Sequence, residues 1–253
     1  MNPEWVIIGS GKLATALVSR LFENNEHNIH IVARNVAAIS ELQGRFPDLK
    51  QLSFESIPAG SICLLAVSDS AIESCALRIK SDDCIKIHFS GATSIQVLQG
   101  NSAVLWPIHS FSIPEAINWS EITLVAESST DPAHEKLSRL IEILGGPVAY
   151  LNENQRLQMH MLAVFANNFT NHLFRIAFDY CEQHKLDFAL LRHLILQSTQ
   201  ALNKFKPAEL QTGPAMRNDF ETMQQHQAIL KDNREMLNLY LIISESIRNH
   251  YSH

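Results

Sequence analysis

Cysteine is sparse in this sequence, and its pattern excludes more than it suggests. Cys63, Cys75, Cys84 and Cys181 form no Cys-x-x-Cys pair, so neither a zinc ribbon nor a disulfide framework is encoded, and a reducing cytoplasm is the expected compartment. Cys181-x-x-His184 is the one close pair of soft ligands, and without a second pair no metal site is expected despite twelve histidines. Basic residues are outnumbered, 20 Lys and Arg against 26 Asp and Glu for a net charge of -6. That removes the electrostatic ground for a nucleic-acid partner. No apolar run approaches the roughly 18 residues of a membrane span, and Met1-Asn2-Pro3-Glu4-Trp5 lacks the basic opening of a secretion signal. Neither membrane insertion nor export is expected. Gly-x-Ser-x-Gly and P-loop patterns are missing, which sets aside the commonest hydrolase and phosphoryl-transfer chemistries.

What is present is a chain of 253 residues, 46% hydrophobic and 18% charged, able to bury a proper core and long enough for two domains. Its first part alternates short apolar runs with amphipathic stretches. Trp5–Gly9, Ile29–Ala33, Ser61–Val67, Ile85–Ser90 and Ala103–Trp106 read as strands, with Lys12–Glu23, Val36–Phe46 and Ser70–Ile79 as the helices between them. Ile122–Ala126 and Val148–Leu151 flank a helix at Pro132–Leu144, which stops at Gly145-Gly146-Pro147, and they extend the sheet at its edge. The pattern predicts an α/β fold: a doubly wound, mostly parallel, Rossmann-like sheet over residues 1–151. After Leu151 the strand signal ends. Asn152 followed by Gln155 reads as a capping box opening a long helix through about His184; Asp187–Phe205, Asp219–Gln227 and Asn233–Asn249 follow as helices, with a glycine–proline loop at Thr212–Asp219. Residues 152–253 are therefore expected to be an all-helical domain. Such a domain buries only a modest core alone, so Leu237, Leu241 and Ile243 predict a homodimer through the C-terminal helices.

The segment Gly9-Ser10-Gly11-Lys12-Leu13-Ala14 follows a strand and opens a helix, giving the Gly-x-Gly-x-x-Ala form of a dinucleotide-binding turn. Gly9 permits the tight turn, Gly11 lets the backbone approach a pyrophosphate, and Ala14 lets the helix pack closely on the sheet. The helix N-terminus then presents N–H groups and partial positive charge to the phosphates. At the end of the second strand an acidic residue would hold the ribose hydroxyls of NAD. Here Arg34-Asn35 stands instead, and a guanidinium suits the 2′-phosphate of NADP; Lys12 is a second candidate cation. In an open α/β sheet the ligand crevice lies at the carboxyl ends of the strands, so Val67, Ser68, Ser90 and Gly91 are expected to line its nicotinamide half. His109, after Trp106-Pro107, is the acid–base candidate of the first domain. On the long helix His160 and Asn167, seven apart, share a face beside a polar stripe of Asn168, Asn171, His172 and Arg175. Arg217 and Asp219 either pair to shape their loop, or Arg217 holds a substrate carboxylate.

The glycine turn, the strand end Leu65–Asp69, His88–Gly91 and Trp106–Ser112 resemble the Rossmann-like proteins related to pyrroline-5-carboxylate reductase. His160 through Asn168-Phe169, and Thr212–Asp219 followed by Thr222 and His226, resemble a family described as a Rossmann-like domain joined to a domain of unknown function. The likeness spans nearly the whole chain, and Thr212–Asp219 is its most specific element. It implies an NADP-dependent oxidoreductase fold and a C-terminal helical domain that dimerises, and it carries no assigned substrate. In related two-domain reductases the long helix runs beneath the nicotinamide, which makes His160 and Asn168 the first choices for catalytic contact. Asn167, Thr212 and Arg217 are candidates for substrate binding. The lysine of 3-hydroxyisobutyrate-type dehydrogenases is missing from this helix, which tells against that reaction. Asn218 stands where the family pattern has glycine; asparagine tolerates the left-handed backbone, so the turn is expected to survive. The sequence thus predicts hydride transfer from NADPH to a C=N or C=O group of a small substrate. The alternative is a dimeric protein that senses or stores NADPH, or an interaction protein, without chemistry.

Overall fold

The computed structural model describes residues 4–111 and 117–251; Met1–Pro3 and Ser112, the last residue of the Trp106 motif, lie outside it. Among the described residues eight strands form one sheet, in the order β3-β2-β1-β4-β5-β6-β7-β8. They are β1 Trp5–Ile8, β2 Ile29–Val32, β3 Lys50–Gln51, β4 Ile62–Leu65, β5 Ile85–His88, β6 Ser102–Pro107, β7 Leu124–Ser128 and β8 Val148–Tyr150. All neighbours pair in parallel except β6 and β7. The strand order reverses between β1 and β4, and a crevice opens there because the two flanking connections leave on opposite faces. The structure is therefore a Rossmann-like, mostly parallel sheet followed by a helical C-terminal region.

The central strands are buried on both sides, as parallel strands covered by helices must be. Trp5, Ile7, Ile31 and Leu64 face one layer with Leu17 and Leu21 of α1 (Lys12–Glu23) and Leu137 and Leu140 of α4 (Asp131–Leu144). Val6, Ile8, Cys63 and Leu65 face the other with Ile72 and Ala76 of α3 (Asp69–Ala76). Helix α2 spans Val36–Arg45. Two features depart from the sequence pattern. The edge strand β3 has only two residues, both exposed, too short to carry an alternation. Helix α3 starts at Asp69, with Ser68 at its N-cap position, rather than at Ser70; Asp69 thereby places its carboxylate in the first turn, where the helix dipole favours it.

After β8, Asn152 Oδ1 accepts from Gln155 N at 3.0 Å and Gln155 Oε1 accepts from Asn152 N at 3.1 Å. This reciprocal cap opens α5, Glu153–Ala163. The helical path continues to His184 but not uniformly, because Val164–Phe169 forms a π-helical segment before α6, Thr170–His184. Its wider turns break the α-helical periodicity between His160 and Asn167, so the seven-residue spacing no longer implies a common face. Helices α7 Ala189–Ala201, α8 Pro207–Leu210, α9 Phe220–Leu230 and α10 Arg234–Tyr251 complete the chain. By compactness the chain divides after Ala166, so α5 groups with the sheet, whereas the strand signal in the sequence stops at Leu151. Among the described residues no helix is long and apolar enough to cross a membrane.

Helix α5 is tied to the sheet by Arg156, whose side chain is fully buried. Its guanidinium reaches Glu127 Oε2 at 3.1 and 3.3 Å and donates to the carbonyls of Ser90, Gly91 and Thr93 at 3.3, 3.1 and 2.8 Å. Beside it His88, at the end of β5, is also fully buried. Ser90 N donates to His88 Nδ1 at 3.2 Å, so the neutral ring carries its proton on Nε2. Burial, reinforced by the Arg156 charge, pushes the His88 pKa down from 6.5 to about 4. The native ring therefore stays neutral while an unfolded chain would take a proton. The resulting stability is fully present above pH 6.5 and is lost as the pH falls towards 4, by about 3 kcal/mol at most. Urea melts between pH 7 and 4 should show a steeper loss for the wild-type protein than for His88→Asn, which keeps an acceptor but cannot titrate. Parallel slopes would contradict this account.

Candidate functional site

The carboxyl ends of β1, β2 and β4, with the turns that follow them, enclose a cleft of about 960 Å³. Its floor is the glycine turn. Gly9 has φ +122°, and a Cβ there would overlap the Ala66 carbonyl at the end of β4, so both its backbone angle and its close crossing demand glycine. Gly11 is different: a Cβ on it would meet nothing within 4 Å. Protein packing therefore does not account for this glycine, which borders open space on the cleft side. Ala14 is fully buried against the sheet, where a larger side chain would lift α1. Gly11 occupies the N-cap position of α1 with no side-chain cap, and the first turn contains no acidic residue.

Nine of the ten residues anticipated for cofactor contact lie together on this cleft: Gly9, Ser10, Gly11, Lys12, Leu13, Arg34, Asn35, Val67 and Ser68. Asn35 has a second duty, its Oδ1 accepting from Ala38 N at 3.2 Å to cap α2. Ser90 does not line the cleft. It is buried, its Oγ accepts from Ala92 N and Thr93 N at 3.1 and 2.9 Å, and its carbonyl is held by Arg156. Its side chain is thus spent on shaping the loop after β5.

The electrostatics of the cleft oppose those of the chain. Lys12, Arg34 and Arg78 line it, and none of its lining residues is acidic, although the protein as a whole carries -6. Arg78 was not among the sequence candidates. It follows α3, its guanidinium lies 3.9 Å from the Phe54 ring centroid, and its Nη2 is 3.6 Å from Glu55 Oε1. Burial raises the pKa of the Cys75 thiol, which also lines the cleft, and the charges of Arg78 and Arg34 oppose that rise. No motif marks Arg78 in the sequence, because Phe54 and the strand that carries it into place belong to the short edge that the pattern could not reveal.

The acid–base candidates gather near the end of β6. His109 is exposed, two residues beyond Pro107, with its ring edge-on to Phe111 at 5.0 Å between centroids. His160 of α5 is half-buried, 5.5 Å from the Trp106 ring centroid and packed so tightly on Gly91 that any Cβ there would collide with both rings. His160 thus has a packing role on the loop that Arg156, one helical turn earlier, grips through its carbonyls. Neither Arg156 nor its partner Glu127 carried a sequence signal, since an arginine on a polar helix reads as a solvated one.

The remaining candidates belong to the unit that begins at Asn167. Asn167 and Asn168 are exposed and joined, Nδ2 to Oδ1, at 3.4 Å. Thr212 and Arg217 are exposed on the loop before α9. In that loop Asn218 adopts φ +54°, the left-handed conformation anticipated for it, and its Oδ1 accepts from Arg248 Nε at 3.2 Å. Asp219 caps α9, accepting from Thr222 N at 3.1 Å and Thr222 Oγ1 at 2.8 Å. Those bonds, with the Arg217 charge as a lesser cause, hold its carboxyl below the usual range. Asp219 is therefore the structural residue of the pair.

Comparison with known proteins agrees with this architecture. No curated protein matches the chain. Among solved structures, a provisionally assigned NADP oxidoreductase from Bacteroides fragilis superposes with a TM-score of 0.87 at 25% identity, over 98% of each chain. A pyrroline-5-carboxylate reductase from Coxiella burnetii gives 0.59 at 14% identity, over 100% of this chain and 98% of that one. A reductive aminase from Aspergillus terreus, in complex with NADPH and ethyl-5-oxohexanoate, gives 0.71 at 10% identity, over 98% and 95%. The last two show likeness of fold alone. Family models match residues 4–106, described as a Rossmann-like domain, and residues 122–247, described as a domain of unknown function, DUF2520. The chain is thus a member of the Rossmann-like proteins that carry a DUF2520 domain.

Proposed function

We propose that this protein is an NADPH-dependent reductase acting on a C=N or C=O group of a small substrate. The observation that carries the proposal is the cleft at the strand ends, lined by three cations and no carboxylate in an acidic protein. A dinucleotide phosphate is the ligand that such a wall, a side-chain-free helix N-terminus and an open Gly11 suit together. The backbone of Gly9–Leu13 would hold the diphosphate, Arg34 the 2′-phosphate, and Val67 and Ser68 the chain of the ligand towards β5. Likeness to an NADP oxidoreductase over 98% of the chain supports the same reading. Titration calorimetry with NADPH and NADH tests it. Wild-type protein should prefer NADPH, and Arg34→Asp should lose that preference, since a carboxylate repels the phosphate and suits the free ribose diol. Absence of heat with either nucleotide would end the proposal.

Bound NADPH supplies the hydride; the chain's own residues supply orientation and a proton. His109, exposed beyond the end of β6, is assigned as the donor to the nitrogen or oxygen of the reduced bond. His160, already engaged with Gly91 and Trp106, is the second candidate, and Asn168, Asn167, Thr212 and Arg217 carry the proposed substrate contacts. In a screen of NADPH oxidation with imines, ketoacids and aldehydes, His109→Asn should lower turnover by about 10²-fold or more, the range of general acid catalysis. Unchanged turnover would remove His109 from the mechanism.

The homodimer is part of the proposal, supported by the second unit's own packing. Among its described residues the buried apolar side chains are only Cys181, Ala215, Met223 and Leu230, while Leu190, Leu194, Ile229 and Ile242 are each more than half exposed. So small a core does not offset the entropy of ordering such a segment. A second copy presenting the same helices covers these faces symmetrically. Light scattering at micromolar concentration should give twice the mass of 28.5 kDa; a monomer would refute it.

A further inference from the structure

We propose that Arg78, braced on Phe54, is a second residue selecting for the ligand's 2′-phosphate, and that Glu55 is an internal competitor for it. This rests on the dinucleotide reading of the cleft and goes beyond it, because the glycine turn and Arg34 alone satisfy that reading.

Arg78 and Arg34 line the cleft from different connections: Arg78 follows α3, Arg34 follows β2. Cys75 lines the same cleft, and both charges oppose the upward push of burial on the Cys75 thiol. A ribose diol needs acceptors, and this volume has no carboxylate in its lining. Two guanidiniums are redundant for hydroxyl groups but match a phosphate monoester, which carries close to two negative charges and three acceptor oxygens. Phe54 makes the second cation precise. With the guanidinium 3.9 Å from its ring centroid, it limits the rotamers of a long side chain and so reduces the entropy lost when the donor fork engages an anion.

Glu55 sits beside this arrangement, its Oε1 3.6 Å from Arg78 Nη2, in a pair whose side chains are 55% and 64% exposed. So exposed a pair is weak and yields to a charge-assisted phosphate contact. It also places a negative charge next to the incoming phosphate. Neutralising Glu55 therefore strengthens binding of the phosphorylated ligand and leaves the unphosphorylated one alone.

The test is a calorimetric comparison of full-length wild-type, Arg78→Ala, Arg78→Lys and Glu55→Gln proteins, each titrated with NADPH, NADH, 2′,5′-ADP and 5′-AMP. Thermal melts confirm that each variant is folded. Arg78→Ala should weaken NADPH and 2′,5′-ADP about tenfold, the worth of one charge-assisted contact, with NADH and 5′-AMP changed less than about twofold. Arg78→Lys should recover only part of that loss, since it keeps the charge without the fork. Glu55→Gln should tighten NADPH about two- to threefold and leave NADH unaffected, in keeping with a weak exposed charge. Equal losses on all four ligands would make Arg78 a general wall residue and overturn the proposal. So would unaltered NADPH affinity in Arg78→Ala. Wild-type protein that binds NADPH while the variants behave this way would leave the dinucleotide reading standing; wild-type protein that binds neither nucleotide would bring down both.

Discussion

The close passage of Gly9 beneath the Ala66 carbonyl is the constraint on which the cleft depends. A strand that ends with φ +122°, and with no room for a Cβ, can turn sharply out of the sheet directly beside the end of β4. Helix α1 then begins at the strand-order reversal rather than beyond it, and its N-terminus faces the turns after β2 and β4. Arg34, Asn35, Val67 and Ser68 share one wall system only because this crossing is tight. A side chain at position 9 would separate β1 from β4 and disperse them.

Charge is distributed with the same economy. The acidic excess lies elsewhere in the protein, and the lining of the cleft combines Lys12, Arg34 and Arg78. A concave wall of one sign focuses its field into the space it encloses. The N-terminus of α1 adds partial positive charge without adding a side chain. The cleft is thereby suited to an extended anion, while the protein's net charge resists non-specific attraction to polyanions.

The other end of the sheet is organised by a buried cation instead. Arg156 satisfies three backbone carbonyls of the loop after β5 and one carboxylate on β7. Removing one member of such a buried pair costs about 3–5 kcal/mol, because the other is left uncompensated. His160 adds a packing contact one turn further along α5. The loop at Ser90–Thr93 is therefore held from within by α5, and that dependence explains why α5 groups with the sheet although its sequence opens the helical region.

Local chemistry was legible in the residues themselves. The apolar runs of β1 and β4, the Gly9–Ala14 turn, the Asn152–Gln155 cap and the left-handed Asn218 each follow from interactions within a few residues, so they could be read one segment at a time. Nine of the residues chosen from the sequence share one cleft because strand ends in a parallel sheet must converge. What the chain order could not disclose were relations between distant segments. Lys50–Gln51 counts as a strand only beside β2. Ser90 is held within the loop after β5 by Arg156, Ala92 and Thr93, the π-helical segment breaks the periodicity on which the His160–Asn167 spacing relied, and Arg78 lines the cleft from the turn after α3, where its sequence gives it no distinction. Spacing along a chain fixes hydrogen bonds over a turn or two, whereas a shared cavity or a buried ion pair exists only once packing has brought its members together.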